Sequence, residues 1–151
     1  MTRRTVARLS VADAAYLAGL IDGEGTIALS RRHAGESRQL VVTISSTEAA
    51  LVDWAHQTLG VGKITRKKTS RPHHAPGLTF SVSNRQALDV LEQTLPYLRS
   101  YKKGRAALVL EKYLALTPRN GKYSTELIKA RQRFEDEFAA ITVRRATEDG
   151  D

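Results

Sequence analysis

The spacing of apolar and polar positions changes along the chain, and the changes mark its elements. From Val11 to about Gly23, apolar and small residues recur at helical spacing, and Ser10 with Asp13 resembles a capping box that opens the helix. The period then drops to two. Thr26 to His33 and Arg38 to Ser45 alternate and are rich in Val, Ile and Leu, with Ala34 to Ser37 as a hairpin turn between them. A second helix is expected from about Thr47 to Leu59, capped by Ser45 or Ser46 and stopped by Gly60. Lys63 to Thr69 and Leu78 to Ser83 form a second hairpin, joined by the proline-containing loop Ser70 to Gly77. Ser83 or Asn84 caps a third helix that runs to about Thr94, with Gln86 placed for a capping box. Two more helices are expected near Lys103 to Leu116 and Thr125 to Val143, separated by the breaker Thr117 to Gly121. The pattern predicts an α+β chain of order αββαββα with C-terminal helices, built on a curved antiparallel sheet of four strands.

Alternation also sorts the strand residues onto two faces. Ile27, Leu29, Leu40, Val42, Ile44, Ile64, Phe80 and Val82 are expected against the helices. Ala28, Ser30, Arg32, Gln39, Val41, Thr43, Lys63, Thr65, Lys67, Thr79 and Ser81 then share the other face, which is polar and basic and holds no acid. A merely solvated face would carry mixed signs. A sheet of this kind fits the major groove of DNA, where Arg and Lys read guanine, Gln reads adenine, and Ser or Thr accept either. Arg31, Arg66, Lys68 and Arg71 are expected on phosphates, and Arg38 is a further DNA-binding candidate.

The end of the first helix holds the candidate chemistry. Gly19 and Gly23 lie four apart and share a face with Ala15, which leaves a groove shallow enough for another helix backbone to approach. The run is too short to span a membrane and is broken by Asp13 and Asp22, so the close partner is protein. Glu24 follows at the helix C-terminus, where the helix dipole disfavours an anion unless a cation compensates. Two readings stand at this point: a buried helix with Gly23 and Gly25 as ordinary punctuation, or two copies that bring two Glu24 carboxylates and nearby terminal carbonyls together. The second arrangement is a cluster of hard oxygens suited to Mg2+.

The nonapeptide Leu17 to Gly25, Leu-Ala-Gly-Leu-Ile-Asp-Gly-Glu-Gly, resembles the signature of the LAGLIDADG homing endonucleases, with Gly23 for the usual Ala and Glu24 for the final Asp. Both changes keep the chemistry. The resemblance covers about residues 11 to 116 as the core of a single 1–151 domain, with a C-terminal helical extension of about 117 to 146. It implies a homodimer, since there is one motif copy, joined through Ala15, Ala18, Gly19, Asp22 and Gly23. It also implies Mg2+, replaceable by Mn2+ or Ca2+, held by Glu24 and the backbone at Gly23, with Asp22 taking no ligand role. The run Leu95-Pro96-Tyr97-Leu98, then Lys102 and Lys103, then Ala106 to Leu110, resembles the part of single-motif members where a lysine supports catalysis; Lys102 is the match, with Lys103 one residue behind as the alternative. Where the family often has a glutamine near the metal-bound water, this chain has Ser46, a shorter group that could equally cap the following helix.

Composition agrees. The chain has 151 residues and a net charge of +8, which points to a polyanionic partner. Asp and Glu are absent from residues 62 to 88, which contain Lys63, Arg66, Lys67, Lys68, Arg71 and Arg85; the acids collect late, at Glu135, Asp136, Glu137, Glu148, Asp149 and Asp151. The lack of cysteine excludes a disulfide framework and thiolate zinc sites. The N-terminal arginines lead into an amphipathic helix rather than a signal peptide, so an intracellular site is expected, in cytoplasm, nucleoid or organelle. His73 and His74 fall in the proline-flanked loop and fit phosphate contact or exposure better than a metal site. The function implied is metal-dependent hydrolysis of double-stranded DNA at a long near-palindromic site, as in intron homing, without a membrane or small-molecule substrate. The alternative is a non-cleaving DNA-binding regulator or an RNA maturase on the same fold.

Overall fold

The structure, a computed structural model, describes residues 5–31, 33–67 and 76–144. The chain divides between Leu98 and Arg99 into two compact units. Of the residues singled out from the sequence, Arg32, Lys68, Arg71, His73 and His74 lie outside the described residues.

In the first unit, α1 spans Val11–Glu24, and the Ser10 hydroxyl accepts the Asp13 amide at 3.1 Å, as the capping pattern predicts. The helix passes without a loop into β1, Gly25–Ser30. Only glycine permits that junction: a Cβ on residue 25 would lie 2.7 Å from the Thr43 carbonyl oxygen and 2.8 Å from the Ile21 Cα. β1 pairs antiparallel with β2, Gln39–Ser46, and β2 in turn with β4, Gly77–Ser83; β3, Lys63–Lys67, pairs with the other side of β4. The sheet order is β1-β2-β4-β3, so each hairpin contributes one edge and one central strand. Helices α2, Ala49–Leu59, and α3, Asn84–Thr94, follow their hairpins, and a single 3-10 turn, Leu95–Tyr97, closes the unit. The core lies on the face of Ile27, Leu40, Val42, Ile44, Phe80 and Val82, all buried, together with Leu17, Ile21, Val52, Leu59 and Leu91 from the helices. The alternation therefore sorts the two faces as expected, with Leu29 and Ile64 on the core side only half-buried.

Two boundaries of this unit differ from expectation, each for a local reason. β1 stops at Ser30 instead of His33 because the ladder ends at the Ser30–Gln39 pair, and the Glu36 amide turns back to the His33 carbonyl at 3.3 Å. Neither Ser45 nor Ser46 caps α2: both remain in β2, Glu48 holds the cap position, and the Ser46 hydroxyl accepts the Glu48 amide at 3.0 Å in a turn that precedes the helix. Ser83 sits at the α3 cap without a capping side-chain bond. The stop of α2 is as read, with Gly60 left-handed at φ 70° and its amide on the His56 carbonyl.

The second unit is a helical pair, α4, Lys102–Lys112, and α5, Thr125–Ala140. α4 ends before Leu116 because the chain tightens there, with the Leu116 amide bonded to both the Lys112 and Tyr113 carbonyls. α5 is capped by Ser124, whose hydroxyl accepts the Leu127 amide at 3.1 Å. Tyr113, Phe134 and Phe138 are buried between them. Arg131, 3 % exposed, lies over the Tyr113 and Phe134 rings and donates to the Leu116 carbonyl at 2.8 Å, to the Thr117 hydroxyl and to Glu135. No helix among the described residues is long and apolar enough to cross a membrane.

Candidate functional site

α1 presents two different sides. Ala14, Leu17, Ala18 and Ile21, at helical spacing, are buried against the rest of their unit. Ala15, Gly19 and Gly23 are exposed on the opposite side, and a Cβ built on Gly19 or Gly23 would meet no atom within 4 Å. Ala18, expected at the interface, is buried in this chain's own core at 0 % exposure. Asp22 is half-buried. A flank that the sequence reading passed over stands beside the small residues, where Tyr16, 49 % exposed, packs edge-on against Trp54 with ring centroids 4.7 Å apart. Its signal is an aromatic residue next to Ala15 in an otherwise small-residue stripe.

Glu24 is the last residue of α1 and is exposed. Gly25 uses its amide on the Ile21 carbonyl and so closes the helix. One exposed carboxylate beside helix-terminal carbonyls is a donor set of hard oxygens, which fits a divalent cation such as Mg2+ or Ca2+ and not a soft metal. Among the described residues no group of three or more His, Asp or Glu side chains gathers into a metal cluster.

The strand that starts at Gly25 leads directly to the polar face of the sheet. The register aligns Ser30 with Gln39; Ala28 with Val41 and Ser83; Thr26 with Thr43, Ser81 and Lys63; Ser45 with Thr79 and Thr65. The hydroxyls of Thr26 and Thr43 are 2.6 Å apart and those of Ser45 and Thr79 2.8 Å apart. None of the four strands contains a carboxylate. Thr26 and Ser45 were missed as members of this face, though extending the alternation by one position at each strand end finds them. Lys67 follows Thr65 in the same parity, opposite Gly77. Arg66 has the parity of Ile64, and Arg31 is exposed just beyond β1, so both flank the polar face without belonging to it. Arg38 reaches back to the Leu29 carbonyl at 3.5 Å.

Lys102 belongs to the second unit, at the first position of α4, 7 % exposed, with its Nζ 5.8 Å from the Tyr101 ring centroid. Ser46 shares the parity of Ile44, opposite Leu78, away from the polar face.

No family profile matches the chain, and no curated protein sequence does. Solved structures do. The chain superposes on the homing endonuclease I-CvuI, solved with its DNA target in the presence of calcium, with a TM-score of 0.70 over 89 % of this chain and 85 % of that one, at 20 % identity. The archaeal intron-encoded homing endonuclease I-Vdi141I, complexed with DNA, matches with a TM-score of 0.68 over 91 % of this chain and 88 % of that one, at 17 % identity. The fold is that of the LAGLIDADG homing endonucleases. I-SmaMI, a LAGLIDADG homing endonuclease bound to DNA, matches with a TM-score of 0.63 at 16 % identity over 93 % of this chain, which spans 49 % of that one. Within the LAGLIDADG fold of this chain, the nonapeptide Leu17 to Gly25 thus occupies the end of α1 and the entry to β1, with the acidic position at the junction.

Proposed function

We propose that this chain is a site-specific endonuclease of double-stranded DNA that works as a homodimer with a divalent cation, Mg2+ in the cell. The observation that carries the reading is continuity: an exposed Glu24 ends a helix whose outer side is small and open, and the next residue begins a strand of an acid-free polar sheet. A second copy on the Ala15, Gly19 and Gly23 side would double the carboxylate, turning a single ligand into a pair. When bound, the cation supplies Lewis acidity that activates water and neutralises charge on the phosphate. Glu24 and the last-turn carbonyls near Gly23 would hold it.

The chain's own groups do the remaining work. Lys63, Thr65, Ser81, Thr79, Thr43, Ser30 and Gln39 offer donors and hydroxyls to base edges, while Arg31, Arg38 and Arg66 meet phosphates. Lys102 is assigned the polarisation of the scissile phosphate, or proton transfer to the departing oxygen, by its match to the family's lysine. Water forms the new bond to phosphorus, the bond to the 3′ oxygen breaks, and that oxygen takes a proton. Ser46, already accepting the Glu48 amide, has a short hydroxyl where other members have a longer side chain; this observation favours slow cleavage, and in the limit a DNA-binding regulator.

The test is a cleavage selection on a randomised duplex library with Mg2+, run beside Glu24→Gln. Wild type is expected to cut a near-palindromic sequence, and the variant to bind it with cleavage reduced on the order of a thousandfold or more, several kcal/mol of transition-state stabilisation. Specific binding without cutting would establish the regulator, and cutting by Glu24→Gln would remove the metal from Glu24.

A further inference from the structure

Asn84 is the only described non-glycine residue with positive φ, at 54°. It directly follows Ser83, the cross-strand partner of Val41, and so stands at the end of the polar face near Gln39. Its side-chain Nδ2 donates to the Oε1 of Gln39 at 3.4 Å. Left-handed backbone is tolerated by Asn and Asp better than by other residues with a Cβ, and here it turns the Asn84 amide onto a side chain 45 residues earlier in the chain. Gln39 itself is exposed at the outer end of the β1–β2 hairpin, paired with Ser30.

That hydrogen bond has a chemical consequence. A glutamine reads adenine by using both ends of its amide, the oxygen on the N6 amine and the nitrogen on N7. With Oε1 turned to Asn84, the planar amide presents its NH2 group, a pair of donors, to a ligand on the polar face. We infer that Asn84 is a positioning residue that sets the polarity of Gln39, so that Gln39 reads guanine through its O6 and N7 acceptors and not adenine. The inference rests on the DNA-binding reading proposed above and adds the base class at one position of each half-site.

The experiment is a binding selection from a randomised duplex library with the full chain in Ca2+, comparing wild type, Gln39→Ala, Asn84→Asp and Asn84→Gly, each checked for an unchanged thermal unfolding midpoint. Gln39→Ala maps the position by losing a guanine preference of about tenfold there. Asn84→Asp keeps a residue type that accepts positive φ but replaces the donor by an acceptor. Gln39 then gives its NH2 to the carboxylate and turns its oxygen outward, and the preference at the mapped position moves to cytosine or adenine, which present amine donors. Asn84→Gly keeps the backbone and frees the amide, so the preference at that position relaxes while the others persist. A merely structural Asn84 would leave the mapped preference in place in both variants, and that result overturns the inference, as does a Gln39→Ala selection identical to wild type. If wild type enriches no sequence at all, the DNA-binding reading has failed, an outcome distinct from a DNA-binding protein with an unchanged base preference.

Discussion

Gly25 is the residue on which the geometry of the acid depends. The space for its missing side chain is filled by backbone, the Thr43 carbonyl oxygen at 2.7 Å and the Ile21 Cα at 2.8 Å from where a Cβ would sit. Backbone atoms of a helix and a central strand cannot rotate away as a side chain could. Gly25→Ala must therefore pry α1 from β2, and we expect a loss of about 2–4 kcal/mol, in the range of overpacked core substitutions and above, read as a shifted denaturant midpoint. Because Glu24 is the immediate neighbour, cleavage by Gly25→Ala should fall even at temperatures where the chain stays folded. A variant with wild-type stability would mean that the helix-to-strand junction has slack, and that Glu24 is held by something other than this contact.

At the scale of the element, α1 is a helix with apolar or small residues nearly all round, a pattern that calls for cover on more than one side. Leu17, Ala18 and Ile21 are buried within their own unit; Val11, Ala15, Tyr16 and Gly19 remain exposed. Gly19→Ala separates the two demands. Nothing lies within 4 Å of the added methyl group, so in an isolated chain it should raise helix stability by about 0.5–1 kcal/mol, whereas in a pair of helices packed at Gly19 it holds the backbones apart. Sedimentation equilibrium is expected to show weaker dimerisation for Gly19→Ala and none for Gly19→Leu, with the monomer no less stable. An unchanged association constant in both would place any partner elsewhere. This two-sidedness also marks what was legible in the sequence. The hairpins were, because alternation of Ile, Leu and Val with Thr, Ser and Lys fixes both strand and face: Ile44 and Phe80 are buried as a pair, and Thr43 and Ser81 emerge as one. The side of α1 that meets the sheet was not, because Ala15 and Ala18 carry the same weak hydrophobic signal and only packing tells them apart. The start of α2 was missed for a related reason, since a serine two residues before Glu48 satisfies an amide in a turn as readily as at a cap. Contacts such as that of Asn84 with Gln39 depend on a left-handed residue and on sheet order, neither of which the spacing of residues specifies.

For the whole molecule, the net charge of +8 says less than where the charge is absent. The strands hold no carboxylate, and much of their polar face is hydroxyl: Thr26, Thr43, Ser45, Thr79, Ser81 and Thr65. Hydroxyls contribute hydrogen bonds but release no counterions, so they give affinity that salt leaves nearly untouched. The cations sit around them, with Lys63 on the sheet and Arg31, Arg38 and Arg66 beside it. If these three arginines per protomer neutralise phosphates, a dimer releases about six counterions, and the logarithm of affinity should fall against the logarithm of salt with a slope of about −5, on the order of a 10³-fold loss between 50 and 200 mM. Arg66→Ala removes one contact per protomer and should flatten the slope by about 2 while leaving sequence preference intact, since Arg66 lies off the polar face. Ser81→Ala should do the reverse, relaxing preference at a base position with the slope unchanged. Fluorescence anisotropy across a salt series measures both. A slope near zero in the wild type would leave the hydroxyl face as the sole contact and remove the phosphate role from the arginines, whereas an equal change of slope in both variants would show that the division of this surface into reading and clamping residues is wrong.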